Sequence, residues 1–291
     1  MTEATIGIIG GSGLYQIDAM TDVSETRIET PFGPPSDAIV LGTLEGKRVA
    51  FLPRHGRGHR ISPSEIPFRA NIYALKTLGV ERIISVNAVG SLREDMAPMD
   101  IVIPDQLIDR TRLRENTFFQ GGIVAHIAFA EPFCAEMRRL VHDAASSTGA
   151  TVHGAGVYVT IEGPQFSTRA ESQLYRACGA DIVGMTALPE AKLAREAEIC
   201  YAVVAFVTDY DCWRPDHEAV TTEMVLKSLV KGAETARTTV IRAVKSVPDN
   251  RTCACASALK DAIVTPSSMI PELVKQDLMP IAGRYFADSS R

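Results

Sequence analysis

Five short segments carry side chains whose types and spacing suit anion binding or proton transfer. The first is Gly7-Ile-Ile-Gly10-Gly11-Ser12-Gly13. Glycines let backbone N–H groups converge on an anion, and Ser12 adds a hydroxyl donor. A dinucleotide fingerprint would need glycine or alanine at position 16, where Gln16 stands, and a P-loop would need a lysine. A plain tight turn competes with an anion loop at this position. The second segment is Pro53-Arg54-His55-Gly56-Arg57-Gly58-His59-Arg60, five basic or imidazole side chains on a glycine-flexed loop. Arginine offers a planar fork that matches phosphate oxygens, and histidine can donate beside it. Arg54 is expected to meet an anion at a surface cleft; a solvated basic loop is the alternative. The third, Asn87-Ala88-Val89-Gly90-Ser91-Leu92, reads as a strand terminus whose amides and Asn87 side chain could bind an anion.

The fourth segment, Thr160-Ile-Glu162-Gly163-Pro164-Gln165-Phe166-Ser167, is a strand ending in a Gly-Pro turn. It brings a carboxylate and an aromatic ring to one sheet edge, although Phe166 could be core and Glu162 the partner of an arginine such as Arg169. The fifth is Thr208-Asp209-Tyr210-Asp211-Cys212-Trp213. Carboxylates at i and i+2 share a face if strand geometry persists. Like charges so close push at least one pKa upward, which gives a proton donor, and the charge of Asp211 is expected to lead over burial for Asp209. An Asx-type turn at the strand end is the plainer reading. No His/Cys/Asp cluster has recognised metal-ligand spacing, and Cys253-Ala-Cys255 reads as too isolated for zinc, with a redox pair left open. No metal is therefore expected.

The elements that position these segments alternate. Apolar, β-branched runs at 5–9, 37–41, 49–52, 82–86, 100–103, 157–161, 181–185 and 201–208 read as strands. Several are apolar on both faces, as expected of central strands covered on both sides. Phe68, Ile72, Leu75 and Leu78 fall on one helical face, with Gly79 as the stop. Thr168 and Glu171 have capping-box spacing before a helix ending near Gly179. The stretch 223–245 carries Val225, Leu229, Ala233, Ala236 and Val240 on one stripe, and Pro248 ends it. The expectation is one α/β domain over 1–291, a mixed central β-sheet flanked by helices. Residues 248–265 read as the least ordered part, with a C-terminal helix after them.

The chain has 291 residues, enough for a full core, with 46% hydrophobic and 22% charged residues. Thirty basic against 35 acidic residues leave a net charge of −5 and no basic tail, which disfavours nucleic acid as a partner. No apolar run nears the roughly 20 residues that span a bilayer, so no membrane partner is expected. The N-terminus lacks a basic and apolar leader pattern, and the six scattered cysteines fit reduced thiols. A cytoplasmic location follows as an expectation.

Taken together, the segments resemble the trimeric purine nucleoside phosphorylase superfamily and, within it, the 5′-methylthioadenosine phosphorylase family. Matching stretches run from Gly7 to Val225, and 160–172 together with 208–213 is the most specific pair. The resemblance implies a nucleoside phosphorylase-like fold and phosphorolysis of methylthioadenosine to adenine and 5-methylthioribose 1-phosphate. Inorganic phosphate would be the co-substrate, with no cofactor. By motif position it implies phosphate contacts from Ser12, Arg54, His55, Asn87, Ala88 and Thr186. Ser12 and Asn87 stand where some relatives carry threonine. Phe166 and Met185 would pack against base and sugar, and Tyr210 would lie beside them. Asp209 and Asp211 would recognise the base, with Asp209, Asp211 and His55 acting in catalysis. Ser167 and Thr222 match positions associated with substrate choice. His126 resembles a residue that reaches a neighbouring subunit's 5′ pocket in a homotrimer, or in a hexamer of paired trimers. A 6-oxopurine or methylthioinosine phosphorylase is the near alternative, although asparagine typically replaces Asp209 in the oxopurine branch. A nicotinamide dehydrogenase leaves the 54–60 loop unexplained, and a silent nucleoside-binding module leaves Asp209, Arg54 and His55 unexplained.

Overall fold

The computed structural model describes residues 3–11, 19–214 and 220–286. In chain order the strands and helices are β1 (Ile6–Gly10), β2 (Thr21–Thr26), β3 (Ile39–Leu44), β4 (Lys47–Pro53), α1 (Phe68–Thr77), β5 (Arg82–Ser91), β6 (Ile101–Val102), β7 (Gln106–Arg110), α2 (Ala135–Ser146), β8 (Val152–His153), β9 (Val157–Ile161), α3 (Arg169–Ala177), β10 (Ile182–Gly184), α4 (Ala187–Glu196), β11 (Cys200–Asp209), α5 (Thr222–Ser246), α6 (Glu272–Asp277) and α7 (Met279–Phe286).

The strands with the most continuous apolar runs take the centre of the sheet. All ten residues of β11 are buried, as are all five of β1. Burying an aliphatic side chain fully is worth about 1.5–3 kcal/mol, so Val203, Val204 and Val207 hold β11 in place on both faces. Parallel pairing joins β4 to β1, β1 to β5 and β5 to β11. Antiparallel β3 and β2 extend one edge, and β10, β9 and β7 extend the other, which makes one mixed sheet. Helices α1, α4 and α7 cover one face, where Ile72, Leu75, Leu193 and Ile281 meet Ile9, Leu52 and Tyr201. Helices α2 and α5 cover the opposite face, where Met137, Val141, Val240 and Val244 meet Ile8, Phe51 and Val204.

Local signals act as their chemistry requires. The amide of Glu171 donates to Thr168 Oγ1 at 3.2 Å and the amide of Thr168 donates to Glu171 Oε2 at 2.8 Å, a complete capping box on α3. Helix α1 stops as Gly79 turns to a φ of +92°, a conformation open to glycine. Three expectations change. The strand expected at 82–86 runs on to Ser91, because the far end of β5 pairs antiparallel with β10 through Ser91 and Gly90. The stripe along α5 divides: Ala236, Val240 and Val244 reach the core, whereas Val225, Leu229 and Ala233 face a cavity that Ala236 also touches. The segment after Pro248 is packed rather than loose. Its Arg251 Nη1 donates to the Glu198 carbonyl at 2.8 Å, the Leu259 amide donates to Glu198 Oε1 at 3.0 Å, and Leu259 is 1% exposed.

Candidate active site

Strand ends and one helix enclose a cavity of about 480 Å³. Arg54 and His55 leave the end of β4, and Asn87, Ala88 and Gly90 come from β5. Phe166 and Ser167 follow β9, Met185 and Thr186 join β10 to α4, and Asp209 and Asp211 close β11. Thr222, Val225 and Leu229 form the wall from α5. These are ends of strands in an α/β sheet, where crossovers leave crevices for ligands. Ala88 is the one exposed residue of β5, and it opens onto this space.

The polar end is built on Arg54, which is buried rather than set at a surface cleft. Its Nε donates to Glu190 Oε1, and its Nη2 donates to Glu190 Oε2 at 3.2 Å and to Ser85 Oγ at 2.6 Å. Nη1 donates to the Val86 carbonyl at 3.1 Å. Of the five guanidinium hydrogens, these bonds leave one, on Nη1, unused. Burial works against the charge on Arg54, and the Glu190 carboxylate more than offsets it. Tyr201 Oη adds a further hydrogen bond to Glu190 Oε2 at 2.9 Å. Beside this pair, Asn87 Nδ2 donates to Thr186 Oγ1 at 2.8 Å, so both hydroxyl and amide are held at the cavity edge.

His55 is neutral at ordinary pH. Burial first, and then the Arg54 charge, push its pKa down to about 4. Its Nδ1 lies 2.8 Å from the Ile61 carbonyl, an acceptor only, so Nδ1 carries the hydrogen and Nε2 presents a lone pair. The ring of His59 stacks on His55 with centroids 4.2 Å apart.

At the other end, Asp209 and Asp211 are each 6% exposed. Asp209 Oδ1 accepts the Asp211 amide at 2.8 Å, and Asp209 Oδ2 lies 2.7 Å from Thr208 Oγ1. The Asx-type turn and the paired carboxylates therefore coexist at this strand end. Both pKa values are raised, and burial leads in each. The charge of Asp211 contributes least to the rise at Asp209, which corrects the expectation that it would dominate. The hydroxyls of Ser172 and Ser167 temper the rise at Asp211, yet its Oδ2 has no hydrogen-bond partner among the described residues. A buried acceptor in that state is poised for a donor.

Of the residues singled out from the sequence, Arg54, His55, Asn87, Ala88, Phe166, Ser167, Met185, Thr186, Asp209, Asp211 and Thr222 all line the cavity. Tyr210 does not: its ring packs edge-on against Trp213, and its hydroxyl donates to the Glu94 carbonyl at 3.4 Å. His126 is exposed and lies outside the cavity of its own chain, its amide bonded to the Ala262 carbonyl. Ser12 lies outside the described residues. Glu162 pairs with Arg114 at 3.1 Å rather than with Arg169. Burial opposes its charge, but the Arg112 amide, the Ser64 hydroxyl and Arg114 hold its carboxyl down at about 2. Arg114 Nη1 also donates to the carbonyls of Met185 and Leu188, which fixes the turn beneath the cavity. Sequence reading missed Glu190 and Arg114. Each sits in an ordinary helix or loop stretch, and only the fold brings it to its partner. Among the described residues no metal-ligating cluster lies in the cavity, but Cys253 and Cys255 are not isolated, because the fold adds Cys134 and Cys200.

The sequence model of the phosphorylase superfamily matches residues 5–245. The S-methyl-5′-thioadenosine phosphorylase of Koribacter versatilis is 57% identical over 286 residues, 98% of each chain. The chain belongs to the S-methyl-5′-thioadenosine phosphorylase family. The family member from Chloroflexus aurantiacus is likewise 57% identical, over 99% of this chain and all of its own. A methylthioadenosine phosphorylase from an antarctic soil metagenomic library superposes with a TM-score of 0.92 at 51% identity, covering 97% of this chain and 99% of that one. A variant of the adenosine/methylthioadenosine phosphorylase from Schistosoma mansoni, solved with methylthioadenosine, superposes at 0.83 with 39% identity over 93% and 99%. The family's α/β fold is the one described above.

Proposed function

We propose that this protein catalyses phosphorolysis of 5′-methylthioadenosine, a pentosyl transfer giving adenine and 5-methylthioribose 1-phosphate in purine and methionine salvage. The carrying observation is one cavity with an anion-binding end, two buried aspartates with raised pKa values, and an apolar wall from α5. Its relatives carry the name of that activity.

The chemistry follows from the three regions. Inorganic phosphate is held by the remaining Arg54 hydrogen, by Asn87 and Thr186, and by the Ala88 amide, with Ser12 adding a hydroxyl. His55 Nε2 accepts from a protonated phosphate oxygen. The bond from C1′ to the purine breaks with its electron pair leaving on the base, the sugar gains positive charge, and a phosphate oxygen closes on C1′. Asp209, protonated, donates to N7 and neutralises the departing adenine. Asp211, whose Oδ2 lacks a partner among the described residues, accepts from the exocyclic amine or fixes Asp209. The clamp works by position and electrostatics, not by a covalent intermediate. Phe166 and Met185 bracket the nucleoside, Ser167 and Thr222 shape substrate choice, and Val225 and Leu229 offer the apolar surface a thioether prefers to water.

No cofactor is required by this scheme. A homotrimer, or paired trimers, would let the exposed His126 complete a neighbour's 5′ pocket, and light scattering at assay concentration tests it: a fully active monomer contradicts the assembly. A cytoplasmic location suits a reaction whose phosphate and sugar phosphate cannot cross a bilayer unaided. The decisive experiment is product analysis on methylthioadenosine, adenosine and methylthioinosine with and without phosphate. The expected result is phosphate-dependent release of adenine, fastest from methylthioadenosine. Adenine release without phosphate, or a preference for methylthioinosine, would overturn the assignment.

A further inference from the structure

Away from the cavity, four of the six cysteines converge from distant parts of the chain. Cys134 is the N-cap of α2, Cys200 opens β11, and Cys253 and Cys255 flank and enter the short turn Ala254–Ser257. Their sulfur atoms all lie within 4.8 Å of one another, and Cys200 Sγ is 3.2 Å from Cys253 Sγ. Three of the four residues are buried and Cys253 is half-buried. Zinc–thiolate bonds of about 2.3 Å place the sulfurs of a regular tetrahedron roughly 3.8 Å apart. The observed spacings bracket that value, so side-chain shifts below an ångström would seat one ion.

We propose that Cys134, Cys200, Cys253 and Cys255 form a binding site for one borderline-soft divalent cation, Zn²⁺ in the first instance. Four sulfur ligands with no carboxylate or open position suit zinc and make the site structural, not catalytic. The thiolate is the ligating form, so cation binding releases thiol protons to solvent. The bound ion would tie the segment after Pro248 to α2 and β11. That segment already leans on the same edge through Arg251 and Leu259.

The test uses the full chain, reduced and stripped of metal, then mixed with Zn²⁺ and freed of excess by gel filtration. About one zinc per chain should be retained, and zinc should shield four thiols of the native wild type from alkylation while Cys178, which is exposed, still reacts. Co²⁺ should give the intense visible absorption of a tetrahedral tetrathiolate centre. That absorption should be lost in Cys134→Ser and in Cys253→Ser and kept in Cys178→Ser. Zinc uptake far below one per chain, with all six thiols reactive on denaturation, would overturn the proposal. So would protein prepared without reductant that has lost four thiols as two disulfides and takes up no zinc once reduced.

Discussion

Glu190 Oε2 lies 3.2 Å from Arg54 Nη2, and the two side chains are 1% and 2% exposed. The arginine of the proposed phosphate end is thus oriented by the Glu190 carboxylate. Removing one member of a buried pair leaves the other charged and unpaired, at a cost of roughly 3–5 kcal/mol. Glu190→Gln keeps the shape and loses the charge. We expect a melting temperature lower by several degrees and a sharply raised KM for phosphate, with adenine binding little changed. Thermal denaturation, phosphate titration and adenine binding check the three. A variant with unaltered phosphate KM would separate Glu190 from the anion site.

His55 gives a pH signature. Its pKa is depressed to about 4 in the fold against about 6.5 in an unfolded chain. The unfolded state therefore binds more protons between those values, so stability is full above about 6.5 and falls as pH drops towards 4. His55→Gln should flatten that part of the stability curve. Bound phosphate, an adjacent anion, should raise the midpoint of the His55 resonances in NMR titration. A midpoint near 6.5 without phosphate would contradict the buried, neutral assignment.

Much of this was legible in the sequence because the central strands are almost wholly apolar. Every strand expected from such a run is present, from β1 to β11. The missed strands β2, β7 and β8 are polar or short, and pairing with a neighbour rather than composition makes them strands. The cavity residues were legible where glycines and charges cluster after a strand, as at Arg54–His55 and Asp209–Asp211. Glu190 was not, because a glutamate at the start of a helix looks like any other until Arg54 is placed against it. The cause of the raised pKa at Asp209 was misjudged for a related reason: adjacency in sequence is visible, whereas burial is not.

Gly90 controls how closely β5 approaches the base end. A Cβ added there would stand 2.9 Å from Asp209 Oδ1, 3.2 Å from Val183 Cγ1 and 3.3 Å from Asp211 Cβ. None of those can retreat freely, since Asp209 is tied to the Asp211 amide and β10 is paired to β5 at this point. Gly90→Ala should cost about 1–3 kcal/mol of stability, as overpacking does. It should also lower kcat more than it raises the phosphate KM, because the displaced group is the proposed proton donor. Steady-state kinetics with varied phosphate distinguish this from a general loss of folded enzyme.

Asp209 carries the sharpest expectation. Burial leads in raising its pKa and the charge of Asp211 adds to it, so the folded state holds the proton to higher pH than an unfolded aspartate would. A raised carboxyl pKa stabilises the fold fully below the unfolded value and loses that contribution as pH rises through the folded one. Activity should share this direction, with an alkaline limb where Asp209 deprotonates. Asp209→Asn keeps a donor of similar shape but has no proton to transfer. Methylthioadenosine phosphorolysis should slow by roughly 10²–10⁴-fold, the usual range for losing a positioned general acid, and the alkaline limb should vanish. Methylthioinosine should suffer less, since an amide can bridge N7 and the 6-carbonyl together. The measurement is kcat/KM for both nucleosides across pH in wild type and variant. If their ratio does not move towards the oxopurine, Asp209 is not the acid that reads the base, and the proton must come from Asp211 or from solvent.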